Sequence, residues 1–249
     1  MRFKPRKPET HLSMKTIHTL AQRLPDIPRW VEVRALLRWG RCEIFGLEES
    51  PAFAFAIRDP ATGLVGVVGA PSVDAIREAA ARASSREPVI AAPEQEAHVS
   101  RALPEWRHTR AVLHTLPDFS RLPAPPPKTV RFLEPGEIRQ PSIPETLARE
   151  LEIGAEHSPI VATFVDGQPV SFAYAGSITE SLFDVAIDTL PEHRRRGYAA
   201  LCVSRLIRHM HERGKQPVWG ATTENTASAN LARKLGFVPT DELALWERY

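Results

Sequence analysis

The chain has 249 residues, 43% apolar and 25% charged, with 32 basic residues against 30 acidic ones and a net charge of +2. That is the make-up of an ordinary globular protein, long for one domain and comfortable for two small ones. The near-balance argues against a dedicated nucleic-acid binder, and no apolar run approaches the length that spans a bilayer. The two cysteines, Cys42 and Cys202, fit neither a disulfide framework nor a metal-ligand spacing, so no metal is expected and a reducing cytoplasm is the expected compartment.

Residues 1–27 are polar and broken by prolines, and read as an N-terminal extension without the apolar segment of a secretory signal. Residues 28–117 read as an N-terminal α/β domain. In it, "RWVEVRALLRW" (29–39) has helical apolar spacing. "PAFAFAIRDPATGLVGVVGAP" (51–71) is a hairpin turning at Asp59 to Gly63. "SVDAIREAAARAS" (72–84) is a Ser-capped helix. A short strand "PVIAA", a helix "PEQEAHVSRAL" and a strand over 106–116 complete it. Five prolines between Pro117 and Thr129 exclude a helix or central strand, which makes 118–128 a stiff linker.

Residues 129–249 read as the order β-α-β-β-β-α-β-α-β, a mixed sheet flanked by helices. The hairpin turn falls at Val165 to Gln168, and Gly214 and Gly236 stop two helices. The chemistry concentrates in "IDTLPEHRRRGYAALCVSRLIRHM" (187–210). A β-branched strand passes through Arg194, Arg195 and Arg196 to Gly197 and then a helix striped by Val203, Leu206, Ile207 and Met210. The first turn of that helix presents unpaired N–H groups and the positive end of its dipole, and a residue without a side chain admits a ligand to the backbone. Such a construction suits a diphosphate. The alternative is a solvated basic turn.

"RRRGYA" has the spacing Arg-x-x-Gly-x-Ala, and "NTASANLARKLGF" follows the next strand. With these two motifs, and with the elements between them in the same order, roughly residues 128–249 resemble the GNAT superfamily of acyl-CoA-dependent N-acyltransferases. Within it, "W…NTAS…LARKLGF" is similar to the branch of zwittermicin-resistance acetyltransferases. The resemblance implies acetyl-CoA as cosubstrate. The arginines of the turn, Arg194 included, and the backbone from Arg195 through Tyr198 and Ala199 to Ala200 would hold its diphosphate. The main chain of Ile187, Asp188 and Thr189 would pair with the pantetheine arm, and Asn225 and Ser228 would line the far side, where the central strands splay. Where many family members carry a tyrosine acid, this sequence has Ala232.

An amine must lose its proton before it attacks, so a base is required. Asp184 and Asp188 alternate onto one face of the strand before the cradle, and Glu224 follows the next strand; Asp184 and Glu224 are the candidate catalytic residues. No Cys or Ser stands in a nucleophile arrangement, so direct attack by an amine, most simply on a small molecule, is expected. Small amines, antibiotics, amino acids and protein N-termini all remain open as acceptors. A non-catalytic acyl-CoA-binding sensor or scaffold is the alternative. The first half offers a similar series of elements without the Arg-x-x-Gly-x-Ala turn, which marks it as a degenerate copy of the same fold.

Overall fold

The computed structural model describes residues 12–49, 53–83 and 87–248. The first eleven residues of the extension, the start of the 51–71 hairpin, the end of the 72–84 helix and Tyr249 lie outside the described residues. The chain divides into two compact units. Unit 1 takes Met1–Pro25, Val33–Val112 and Glu242–Tyr249, and unit 2 takes Asp26–Glu32 and Leu113–Asp241.

In chain order unit 1 carries α1 (Met14–Arg23), α2 (Val31–Trp39), β1 (Glu43–Glu48), β2 (Ala54–Arg58), β3 (Val65–Val68), α3 (Val73–Ala81), β4 (Val89–Ala91), α4 (Glu96–Ala102) and most of β5 (Arg107–Thr115). Strands β1, β2 and β3 pair antiparallel, and β3 pairs parallel with β4. Ser72 caps α3 by accepting from the Ala75 N–H, while Ile76, Ala79 and Ala80 on one stripe of that helix are buried. The polar reading of 12–25 missed α1, whose buried Ile17, Leu20 and Ala21 sit at i, i+3 and i+4.

Unit 2 carries β6 (Val130–Phe132), α5 (Glu145–Ala155), β7 (Val161–Val165), β8 (Gln168–Ile178), β9 (Leu182–Thr189), α6 (Tyr198–His211), β10 (Gln216–Thr222), α7 (Thr226–Leu235) and the start of β11 (Val238–Glu247). Again three strands, β7, β8 and β9, pair antiparallel, and the third pairs parallel with β10. The series α2-β1-β2-β3-α3-β4-α4-β5 therefore recurs element for element as α5-β7-β8-β9-α6-β10-α7-β11. The last strands are each divided at the boundary: β11 gives unit 1 its Ala244 opposite Ala91, and β5 gives unit 2 its His114, whose Nδ1 donates to the Trp219 carbonyl at 3.2 Å.

Two cores hold the unit 2 sheet. On one face α6 buries Cys202, Val203, Leu206, Ile207 and Met210 against Phe183, Val185 and Trp219. On the other, α5 buries Ala148 and Leu151 against Phe172 and Leu190. Asp166 (φ 50°) and Gly167 (φ 77°) are both left-handed, the geometry of a tight hairpin turn between β7 and β8. No helix among the described residues is long and apolar enough to cross a membrane.

Candidate active site

Strand β9 organises the site. Its parallel pairing with β10 ends where Asp184 stands opposite Val218, yet β9 runs on to Thr189 and β10 to Thr222. The two strands part beyond that point, and among the described residues no strand pairs with that edge of β9. Leu190 donates to the Val170 carbonyl at 3.0 Å, so by the alternation of an antiparallel ladder Ile187 and Thr189 turn their N–H and C=O groups away from β8, toward that gap.

The side chains of β9 also alternate. Phe183 and Val185 are buried in the α6 core, and Ile187 packs against it. Asp184, Ala186 and Asp188 face the other way, and Asp188 lies opposite Phe172 of the α5 core. Strand β8 bulges across from Asp184: its register with β9 shifts between Ala175 and Ile178, leaving Gly176 and Ser177 there. The Asp184 Oδ2 lies 3.3 Å from where a Cβ on Gly176 would stand. Bulges of this kind re-aim side chains beside working sites. Loss of water pushes the Asp184 carboxyl up to about 6, with the Val185 N–H pulling the other way. Asp188 is also pushed up to about 6, by desolvation and the nearby Glu150, against the opposing charge of Arg194.

Beyond Thr189 eight residues lead into α6. Arg195 (φ 61°) and Gly197 (φ 84°) are left-handed. Alternations of this type gather successive N–H groups into an anion-binding concavity. The first main-chain bond into α6 runs from Leu201 N to Gly197 O at 3.4 Å, so among the described residues the N–H groups of Arg195 to Ala200 are unengaged. A Cβ on Gly197 would meet nothing within 4 Å. Arg195 and Arg196 are exposed, with no carboxylate partner among the described residues. Arg194 differs, since its Nε donates to the Thr189 carbonyl at 3.1 Å. Tyr198 and Ala199 are half-buried and Ala200 is buried; the Tyr198 carbonyl accepts from Thr163 Oγ1 at 3.2 Å.

Asn225 caps α7, its Oδ1 accepting from the Ser228 N–H at 3.0 Å. The Ser228 hydroxyl accepts at 2.9 Å from Nε1 of Trp219, a ring 1% exposed. Glu224 is exposed in the turn after β10, six residues and roughly 20 Å of extended chain beyond Val218, the partner of Asp184. The structure thus brings Asp184 to the point where the strands part and leaves Glu224 at the far end of β10. Cys202 shares a 3.0 Å hydrogen bond with Thr163 Oγ1, and burial pushes its thiol up to about 11. Sequence reasoning missed the bulge at Gly176 and the Trp219–Ser228 bond. The signal for the first was a glycine inside a strand.

In unit 1 only four residues join β3 to α3. There the Pro71 carbonyl accepts from His98 Nε2 at 2.7 Å, and Ser72 caps the helix. A Cβ on Gly46 of β1 would stand 2.5 Å from Ala75 Cβ, so the first turn of α3 is already packed against the chain. Among the described residues the open cradle has no counterpart in this unit.

Residues 160–245 match the family model described as GNAT acetyltransferase. Among solved structures, the chain is similar to a GCN5-related N-acetyltransferase-like protein from Streptococcus suis, with 17% identity and a TM-score of 0.70 over 94% of this chain and 97% of that one. It is also similar to a tandem GNAT protein from the clavulanic acid biosynthesis pathway, at 12% identity and a TM-score of 0.57 over 94% and 92%. A GCN5-related N-acetyltransferase from Kribbella flavida follows at 16% and 0.56 over 93% and 95%. No curated protein matches the sequence. At such identities the structural likeness is one of fold, and it runs the length of the chain. The stretch that holds the parted strands and the cradle is thus the part of the chain that matches the GNAT acetyltransferase model, and the fold of the whole chain is similar to that of tandem GNAT proteins.

Proposed function

We propose that unit 2 transfers an acetyl group from acetyl-CoA to an amine. The observation that carries the reading is the open cradle: N–H groups from Arg195 to Ala200 and two arginines that have no partner among the described residues, with free space beside Gly197, all at the mouth of the gap between β9 and β10. Residues of this kind fit a diphosphate. When bound, acetyl-CoA supplies an activated thioester.

The chain's own residues divide the remaining work. The cradle binds the diphosphate. Ile187 turns its main-chain N–H and C=O to the gap, where they can pair with an extended arm, and an N–H aimed there also serves as an oxyanion donor. Asp184, held in a desolvated place opposite the β8 bulge, accepts the proton of the acceptor's ammonium. A carboxyl pushed up to about 6 is ionised at neutral pH and a better base than an ordinary one. Cys202, buried and held protonated, takes no part as a nucleophile, in keeping with direct attack. Ala232, fully buried, brings no proton donor to the departing thiol, which leaves that proton to solvent; a thiol pKa near 8.5 makes this tolerable. Asn225 and Ser228, at the start of α7, stand on the far wall of the gap. The narrower kinship with zwittermicin-type resistance acetyltransferases, and with it a small-molecule acceptor, rests on the Trp219 to Phe237 motif.

The test is thiol release from acetyl-CoA with a panel of amines. Turnover with at least one amine, lost in Asp184→Asn, supports the reading. Tight CoA binding with no turnover on any amine would favour an acyl-CoA sensor.

A further inference from the structure

Three consecutive arginines enter the cradle, and the structure gives them unequal work. We propose that Arg194 is a positioning residue that latches the end of β9 to the turn, and that the side-chain charge meeting the diphosphate comes from Arg195 and Arg196. The proposal rests on the acyl-CoA reading above.

Most residues from Asp188 to Arg194 are tied by hydrogen bonds. Ser171 Oγ donates to the Asp188 carbonyl at 3.2 Å and lies 2.7 Å from the Thr189 hydroxyl. Leu190 N–H goes to Val170 O at 3.0 Å, His193 N–H to Leu190 O at 2.9 Å, and Arg194 N–H to Pro191 O at 3.3 Å. The last tie is the side chain itself, since Arg194 Nε donates to the Thr189 carbonyl five residues back. Arg194 is extended (φ −65°, ψ 158°) and the left-handed residues start directly after it. Its charge is also felt by Asp188, on the strand side. With its Nε committed to the Thr189 carbonyl, the Arg194 guanidinium is tied to the end of the strand rather than left free to follow a ligand. Arg195 and Arg196 carry no such bond among the described residues. One consequence concerns register: with Thr189 O engaged by Arg194, Ile187 is the residue whose two main-chain groups remain available at the gap.

The charge and the N–H donor of Arg194 can be separated. Glutamine keeps an amide donor and loses the charge; alanine loses both. CoA is titrated calorimetrically into the full chain and into Arg194→Ala, Arg194→Gln, Arg195→Ala and Arg196→Ala, from about 0.05 to about 0.5 M salt, where screening separates charge from geometry. Arg194→Ala is expected to weaken CoA about tenfold at every salt concentration, the scale of losing one charge-assisted hydrogen bond, and Arg194→Gln to restore most of it. Arg195→Ala and Arg196→Ala are expected to weaken CoA chiefly at low salt, flattening the salt dependence. Acetyl-CoA kinetics should show Arg194→Ala raising KM with kcat little changed. The proposal is overturned if Arg194→Gln is as weak as Arg194→Ala and flattens the salt dependence, since the charge then meets the phosphates. It is equally overturned if Arg194→Ala binds like the parent chain. Failure of the unmodified chain to bind CoA is a separate result, seen before any variant is made, and removes the acyl-CoA reading together with this one.

Discussion

Gly176 and Asp184 are neighbours across the β8 bulge, with the carboxylate Oδ2 3.3 Å from the position a Cβ on Gly176 would take. That space is narrow enough that even one methyl group must push the carboxylate aside by a few tenths of an ångström. Small displacements of a reacting group cost rate steeply, about 10² for 1 Å. Gly176→Ala is expected to lower kcat about tenfold and Gly176→Val further, with KM for acetyl-CoA unchanged. Steady-state kinetics on both variants checks this, and equal loss in kcat and in CoA affinity would point to a general collapse of the strand instead.

Asp184 should set the acid limb of the pH profile. Its carboxyl is pushed up to about 6, so kcat/KM is expected to rise with pH through that value and level off above it. Asp188, also near 6, is the control: Asp188→Asn should keep the limb, and Asp184→Asn should lose about 10²-fold to 10⁴-fold in rate along with the limb.

The same shift acts on stability, with a definite sign. A carboxyl whose folded value lies above its ordinary 3.8 binds its proton more tightly in the native state between pH 3.8 and about 6. The cost of keeping the buried carboxylate is therefore full above about pH 6 and fades as pH falls toward 3.8. Asp184→Asn should stabilise the protein by about 2 kcal/mol at pH 8 and have little effect near pH 3.5. Urea melts at the two pH values measure it.

Ser228 should prove more important to the fold than to the cofactor. Its hydroxyl satisfies the Nε1–H of the buried Trp219. Ser228→Ala leaves that donor unpaired and should cost about 1–2 kcal/mol, with the CoA Kd changed less than about threefold. A large loss of CoA affinity with an unchanged melting curve would reverse the assignment.

Much of this was legible in the residues because local chemistry and global fold agree there. The Asp166-Gly167 turn, the Ser72 cap and the left-handed Gly236 each follow from one residue's conformational preference. The alternation that sets Asp184 and Asp188 on one face of β9 follows from strand geometry. What could not be read depends on pairing between distant segments. The β8 register shift is fixed by β9, the bond from Arg194 to Thr189 by the path of the turn, and the division of β5 and β11 between the units by no local signal at all. Helix α1 was hidden because the prolines around it outweighed a single buried stripe.

The two units share an element order but differ at the strand-to-helix turn. In unit 1 the turn is four residues long, its Pro71 carbonyl is bonded by His98, and β1 lies against the first turn of α3. One CoA should bind per chain. Substitution of Ser72 by Ala is expected to loosen α3 by about 1 kcal/mol without changing that stoichiometry.

The most direct test of the cradle is a calorimetric titration of CoA into the unmodified chain and into Gly197→Glu. The space beside Gly197 is open, so the new side chain fits the fold at the modest strain of a left-handed residue, about 1–2 kcal/mol, while placing bulk and negative charge where the diphosphate is to lie. The expected result is one site per chain for the parent and no detectable binding for a variant that still melts cooperatively. Unchanged CoA affinity in Gly197→Glu would contradict the account.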